Sequence, residues 1–388
     1  MKRSMTTMKR LSGMLAPLAL VVALLVLGHP ALAQNSSSTD AQAPQAGVGG
    51  AVPGNTLGTA SDADQWRAVQ SGAAGTTSAG GFNANVLIQN PVLSAAAGAG
   101  TYGRTVSSGM RWLEIRNGPL LQYGSYGLGA IIVVLVLFFA IRGRIKIDHG
   151  PAGKTIERFK LIERIGHWLT AVSFVLLGLT GLWMLYGKAV LIPVIGHEAF
   201  AAVAYVGKHI HHYFGFAFMV GLVLIFVMWV RHNIPNTMDL KWAAMGGGVL
   251  VKGVHPPAKK FNGGQKIIFW ATILGGVSLS LSGLSLMFPG ELPAMFAKTF
   301  AILNMIGFSL PTELSPVQEL QLSQLWHSIV ALVMIVIIIA HIYIGSIGME
   351  GAFDAMGTGK VDLNWAKEHH SLWVEEVEQK QAGKMPAE

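Results

Sequence analysis

The sequence predicts an all-α membrane protein, with five apolar helices crossing a bilayer, four of them forming one bundle and one added ahead of it. Three observations carry that expectation. Only 12% of the 388 residues are charged and 52% are hydrophobic, whereas soluble domains carry about a quarter charged residues. Five stretches close to the roughly 20 residues needed to cross hydrocarbon contain no Lys, Arg, Asp or Glu. Lys and Arg are concentrated in alternate loops between those stretches, as topology requires of a chain that crosses repeatedly.

Residues 1–33 read as an export signal. Lys2, Arg3, Lys9 and Arg10 lead, Met14 to Leu27 is apolar, and Ala31-Leu32-Ala33 offers a small-residue cleavage site. Residues 34–121 are mostly rich in Gly, Ala, Ser, Gln and Asn. They hold too few large apolar side chains to offset the entropy of ordering, so a flexible exported segment is expected. An extra transmembrane helix follows at 122–143, with its apolar run over Gly124–Ile141. Within 144–350, the runs Trp168–Tyr186, Ile210–Val230, Ile267–Phe288 and Trp326–Ile347 supply the four helices of the bundle. Trp168, Tyr186, Tyr213, Trp229, Trp270 and Trp326 lie near the ends of these runs, where amphipathic rings favour the lipid–water interface. Residues 351–388 remain as a C-terminal tail.

Loop charge sets the orientation. Arg142, Arg144, Lys146, Lys154, Arg158, Lys160 and Arg164 separate the first two spans, and Arg231, Lys241, Lys252, Lys259, Lys260 and Lys266 separate the third from the fourth. The two other inter-span loops hold only Lys188, Lys208 and Lys298. Basic loops stay in the cytoplasm, so the mature N-terminus is expected in the periplasm and the tail inside a bacterial inner membrane. The net charge of +8 is accounted for by topology, and no nucleic-acid partner is expected. With no cysteine, disulfides, thiolate metal sites, iron–sulfur ligation and covalent haem attachment are excluded.

Histidine is then the residue to follow, because a titratable side chain inside a span is costly and marks function by default. His327 and His341 share the last span, separated by about four helical turns. At 100° per residue they project from nearly one face, about 21 Å apart along the axis, one near each surface of the hydrocarbon. His167 opens the second span at the depth of His341, and His209, His211 and His212 open the third at the depth of His327. Helix geometry thus offers one imidazole pair per leaflet, suited to the two faces of a low-spin haem iron. No carboxylate stands in any span, which favours two haem b over a di-metal centre. Periodicity does not choose among His209, His211 and His212. Gly215 lies one turn beyond His211, and Gly181 shares nearly the same helix face as His167. A flat macrocycle would fit at either glycine; each serves equally well as a helix-packing contact.

Before the fourth span stands Phe261-Asn262-Gly263-Gly264-Gln265-Lys266. One reading is a helix start capped by Asn262. The other is a quinone headgroup site, in which the amides of Asn262 and Gln265 or a glycine N–H donate to a quinone carbonyl. The residues alone weigh these equally.

The stretch from about Phe159 to Glu378 resembles the gamma (cytochrome b) subunit of bacterial membrane-bound formate dehydrogenase. The resemblance lies in Glu163-Arg164-Ile165-Gly166-His167-Trp168, His211-His212-Tyr213-Phe214-Gly215, Arg231-His232-Asn233-Ile234-Pro235, the Phe261–Lys266 motif with Phe269-Trp270, His327 and His341, and Gly359-Lys360-Val361 with Trp365-Ala366-Lys367-Glu368-His369-His370. It implies a four-helix transmembrane di-haem cytochrome b bundle. His167 and His341 would ligate the cytoplasmic-side haem, and His211 and His327 the external one. Asn262, Gly264 and Gln265 would hold the quinone, menaquinone or ubiquinone. It further implies partners, an iron–sulfur beta subunit and a molybdenum or tungsten catalytic alpha subunit, which would pass electrons through this chain to quinone while this chain itself binds no formate. His212 stands where the family has proline, and the chain up to about Gly150 departs from the shorter family pattern.

Two rivals follow. The cytochrome b anchor of a nickel–iron hydrogenase or another molybdoenzyme shares the two-haem plan but not the Phe261–Lys266 and Trp365–His370 motifs. A non-redox transporter lined with histidines would show no b-type chromophore.

Overall fold

A run of apolar side chains free of charge has no stable conformation in lipid except one that satisfies its backbone internally, and the chain is accordingly built from long helices. The computed structural model describes residues 108–289, 291–292 and 295–383; the export signal and residues 34–107 lie outside them. In order come α1 (Ser108–Ile115), α2 (Leu121–Arg142), β1 (Thr155–Glu157), α3 (Leu161–Val190), α4 (Ile192–Trp229), α5 (Thr237–Ala244) and α6 (Gly263–Met287). Then follow α7 (Met295–Met305), α8 (Pro316–Tyr343), α9 (Asp354–Gly357), β2 (Lys360–Asp362), α10 (Leu363–His369) and α11 (Ser371–Gln381). Among the described residues, α2, α3, α4, α6 and α8 are long and apolar enough to cross a membrane, and the chain is a multi-pass membrane protein.

The chain divides into two units. In the one that contains Pro293–Leu322, the Glu319 carboxylate accepts the N–H groups of Phe296 and Ala297 at 2.9 and 2.8 Å, filling otherwise unpaired donors at the start of α7. The other contains Leu121–Leu292 and Ser323–Glu388 and holds the bundle. There α3 and α4 meet so closely that a Cβ on Gly221 would lie 3.0 Å from the backbone nitrogen of Thr170. Helix α4 meets α6 where Gly276 admits Leu222, α6 meets α8 through Trp326 Nε1 donating to Ser278 Oγ at 2.7 Å, and α8 meets α3 where Ile335 lies over Gly178. The extra helix α2 lies outside this ring. Its Gly124 admits Leu332 of α8, and Tyr186 of α3 donates to the Leu121 carbonyl at 3.1 Å.

The expected spans are all present, with two differences. Helix α4 starts at Ile192, well before the apolar run at Ile210, broken only at Gly196, whose φ of 78° suits glycine. Lys208 and His209 interrupt the apolar sequence just ahead of Ile210, but neither breaks a helix, and the Ala-rich stretch from Glu198 to Gly207 before them is helix-forming. The second difference is that the expected tail is folded. β2 pairs antiparallel with β1, Ile156 opposite Val361, and Trp365, Ala366, Trp373 and Val374 are buried. They pack at the basic end of the bundle, where Phe159, Trp229 and Phe261 stack with ring centres 5.5–5.8 Å apart.

Candidate cofactor and quinone sites

Helix α8 carries two histidines on nearly one face, and a different helix faces each. His327 meets His211 of α4, ring centres 6.2 Å apart and planes at 60°. His341 meets His167 of α3, ring centres 6.3 Å apart and planes at 59°. A metal–imidazole nitrogen bond of about 2.0 Å, plus roughly 1.1 Å from that nitrogen to the ring centre, places two imidazoles across one iron about 6.2 Å apart. Both pairs have that spacing.

Hydrogen bonds orient the first pair. The Thr180 hydroxyl donates to the Leu176 carbonyl of its own helix at 2.7 Å, so toward His211 Nδ1, at 2.8 Å, it is an acceptor. Ser282 likewise donates to the Ser278 carbonyl at 2.9 Å and accepts from His327 Nδ1 at 2.9 Å. Both hydroxyls are fully buried. Each fixes the Nδ1–H tautomer and leaves Nε2 bare as a ligand, which is how a second layer of groups tunes a metal-binding histidine. At the other pair, His167 Nδ1 is buried and has no hydrogen-bond partner among the described residues.

Glycines leave room beside the first pair. A Cβ on Gly283 would lie 3.4 Å from His327 Cε1, and one on Gly181 would lie 3.5 Å from His211 Cε1, while a Cβ on Gly215 would meet nothing within 4 Å. A flat macrocycle fits such a cradle. Gly181 therefore sits beside His211, not beside His167 as its shared helix face suggested, because about four turns of rise carry it toward the other end of α3. Of the three candidates on α4, the structure brings His211 to His327. His209 is exposed, with Nδ1 donating to the Tyr205 carbonyl at 2.9 Å, and His212 joins neither pair.

At the basic end, Asn262 caps α6. Its Oδ1 accepts the Gln265 N–H at 2.9 Å while Gln265 Oε1 accepts the Asn262 N–H at 3.1 Å. Both side-chain oxygens are thus engaged, and no protein acceptor takes either amide NH2 group among the described residues. The indole of Trp242 covers Gly263 and Gly264, so close that a Cβ on Gly264 would lie 2.8 Å from it. Lys266 is buried one turn on, donating to Asp239 Oδ2 at 2.9 Å and to the Ile234 carbonyl at 3.1 Å. Asp239, Trp242, Asn262 and Lys266 line one shallow cleft.

The folded C-terminal segment places further titratable groups nearby. Burial pushes the Arg158 guanidinium down to about 9, with the Glu163 carboxylate opposing, so it stays charged at neutral pH. Burial lowers His369 to about 4 and His370 well below its usual value. Sequence reasoning passed over Thr180, Ser282, Arg158 and His370 as site residues. A hydroxyl in an apolar run was the one available signal for the first two, and it does not point to a partner on another helix, 31 or 45 positions along the chain.

A bundle of apolar helices with a facing imidazole pair toward each end is the architecture of a membrane b-type cytochrome. The model of the prokaryotic cytochrome b561 family matches residues 158–359, just over half the chain and all four bundle helices. The chain belongs to the prokaryotic cytochrome b561 family, and membership implies haem b. It is 30% identical over 224 residues to the formate dehydrogenase cytochrome b556(fdo) subunit of Escherichia coli K12, spanning 58% of this chain and 93% of that one. To the nitrate-inducible formate dehydrogenase cytochrome b556(Fdn) subunit of the same strain it is 30% identical over 233 residues, 60% of this chain and 95% of that one. The formate dehydrogenase cytochrome b556 subunit of Haemophilus influenzae is 28% identical over 57% of this chain and 83% of its own length.

Proposed function

We propose that this chain is the cytochrome b subunit of a formate dehydrogenase complex in a bacterial inner membrane, passing electrons across the bilayer to menaquinone or ubiquinone. What supports the reading is the two facing imidazole pairs, 6.2 and 6.3 Å between ring centres, in a chain whose relatives are named as subunits of that enzyme. His211 and His327 hold one haem b toward the periplasm, and His167 and His341 hold a second toward the cytoplasm. Haem b held by such imidazole pairs would supply one-electron transfer.

The chain's own residues do the rest. Thr180 and Ser282 hold His211 and His327 as Nδ1–H tautomers, and the apolar walls of the bundle keep water away. Asn262 and Gln265 spend their oxygens on the helix cap and present their amide N–H groups to a quinone carbonyl, with Gly264 between them letting the Trp242 indole pack closely against the start of α6. The basic loops keep this site at the cytoplasmic face, where protons for quinol are drawn. A molybdenum or tungsten catalytic subunit oxidises formate and an iron–sulfur subunit passes the electrons on; this chain supplies no formate site.

The test is a reduced-minus-oxidised spectrum of the purified complex with haem counted per chain. Two haem b, reduced by formate, are expected. Reduction by hydrogen and not by formate would move the chain to a hydrogenase, and absence of a b-type α-band would remove the cytochrome reading altogether.

A further inference from the structure

We propose that Arg158 and His370 are positioning residues that hold the 258–262 loop, and through it Asn262, in register with the quinone; the proposal rests on the quinone assignment above. The loop ahead of α6 has no ladder partner of its own, and such loops are ordinarily mobile. Here three consecutive carbonyls are taken by groups from distant parts of the chain. Ala258 accepts from the Trp373 N–H at 3.3 Å, Lys259 from His370 Nδ1 at 2.8 Å, and Lys260 from Arg158 Nη2 at 2.7 Å.

Chemistry fixes the direction of these bonds. Arg158 Nη2 lies 2.9 Å from His370 Nε2, and a guanidinium only donates. His370 Nε2 is therefore the acceptor, its proton stays on Nδ1, and Nδ1–H donates to Lys259. Arg158 and His370 are 3% and 1% exposed, so both bonds are shielded from competing water. The rings of Phe159, Trp365 and Trp373 stand 5.1–5.5 Å from the guanidinium carbon and hold it in place. The next residues are fixed as well. Lys260 Nζ donates to Glu163 Oε1 at 2.6 Å, and Phe261 packs on Phe159 and Trp229. From Ala258 to the Asn262 cap every residue has a fixed partner, and a binding group needs placement within about 0.5 Å to act. The segment that positions the quinone loop is the one the sequence left as a tail.

The test uses the full chain in its complex. Haems are reduced with dithionite and their reoxidation by a short-chain benzoquinone or naphthoquinone is followed at the α-band. His370→Leu keeps bulk but makes neither bond; it is expected to raise the half-saturating quinone concentration about tenfold while the limiting rate and both α-bands are unchanged. His370→Gln accepts from Arg158 through its oxygen and donates to Lys259 through its amide, and is expected to restore the wild-type value to within about twofold. Amide exchange in the leucine variant is expected to rise over 258–266 and not in the spans. An unchanged half-saturating concentration with leucine overturns the proposal, as does a glutamine variant no better than leucine. Loss of haem in the leucine variant also overturns it, since Arg158 and His370 contact neither imidazole pair. A wild-type complex that neither quinone reoxidises refutes the quinone reading first, and the clamp's role with it.

Discussion

Replacing Thr180 with valine removes one oxygen and keeps the side-chain shape. The hydroxyl accepts the His211 Nδ1–H at 2.8 Å inside a fully buried site, so no water takes its place. A hydrogen bond of this kind contributes about 1 kcal/mol net. It makes the imidazole a stronger donor and so favours the ferric ion over the ferrous. For one electron, about 1.4 kcal/mol corresponds to 59 mV, so losing roughly 1 kcal/mol of preference raises the midpoint potential by about 40 mV. The helix carbonyl that loses the hydroxyl keeps its backbone bond, but the buried His211 Nδ1–H is left without its acceptor, which costs roughly 1–3 kcal/mol of stability. The assay is a potentiometric titration of the purified complex that resolves two b-type components. One component is expected to move up by about 40 mV and the other to stay, and Ser282→Ala is expected to move the same component. A shift in both components, or Thr180→Val and Ser282→Ala moving different ones, would refute the shared-site geometry of His211 and His327.

Three further outcomes are expected. His327→Ala removes one b-type component and His341→Ala the other, read by haem content and spectrum; a variant that keeps both contradicts the pairing. Asn262→Asp retains the oxygen that caps α6 but loses the amide donor, so thermal stability is held while the half-saturating quinone concentration rises about tenfold, and an unchanged value would move the quinone elsewhere. Lowering pH loosens the C-terminal segment. Burial lowers His369 to about 4 and His370 well below its usual range. For Glu368, burial pulls upward and is outweighed by hydrogen bonds from the His149 N–H and ring and the Asp148 N–H, which lower it. All three folded values lie below the unfolded ones, so the unfolded chain binds more protons; what the two histidines contribute is complete above about pH 6.5 and falls away below it, while the contribution of Glu368 is lost only below about pH 4.5. Amide exchange over 363–381 is expected to quicken between pH 7 and 5 after correction for intrinsic rate, and constant protection would count against it.

The spans were legible because lipid tolerates so few conformations: an apolar run of sufficient length has little choice but a helix. The two histidines of α8 were legible for the same reason, since helix pitch alone places residues about four turns apart on one face. What pitch does not carry is the rotation of α4 about its own axis. His209, His211 and His212 stayed equivalent on the residues, and it is packing against α3 and α8 that turns His211 inward. The tail escaped notice because its burial rests on a few aromatic anchors, Trp365 and Trp373, around a charged Arg158, a pattern with no periodicity to read. The hydroxyl partners of His211 and His327 are contacts between helices, and nothing local in the sequence announces them.

One imidazole of each pair stands on α8, which runs from Pro316 to Tyr343 without a break. The gap between the two sites is therefore set by covalent geometry and backbone hydrogen bonds. The bundle can breathe, α3 and α4 can tilt and lipid thickness can vary, and each pair can open or tighten against its partner helix. The separation between the pairs changes only if α8 itself stretches or bends. The helix is a ruler, and evolution can retune either end of it without altering its length.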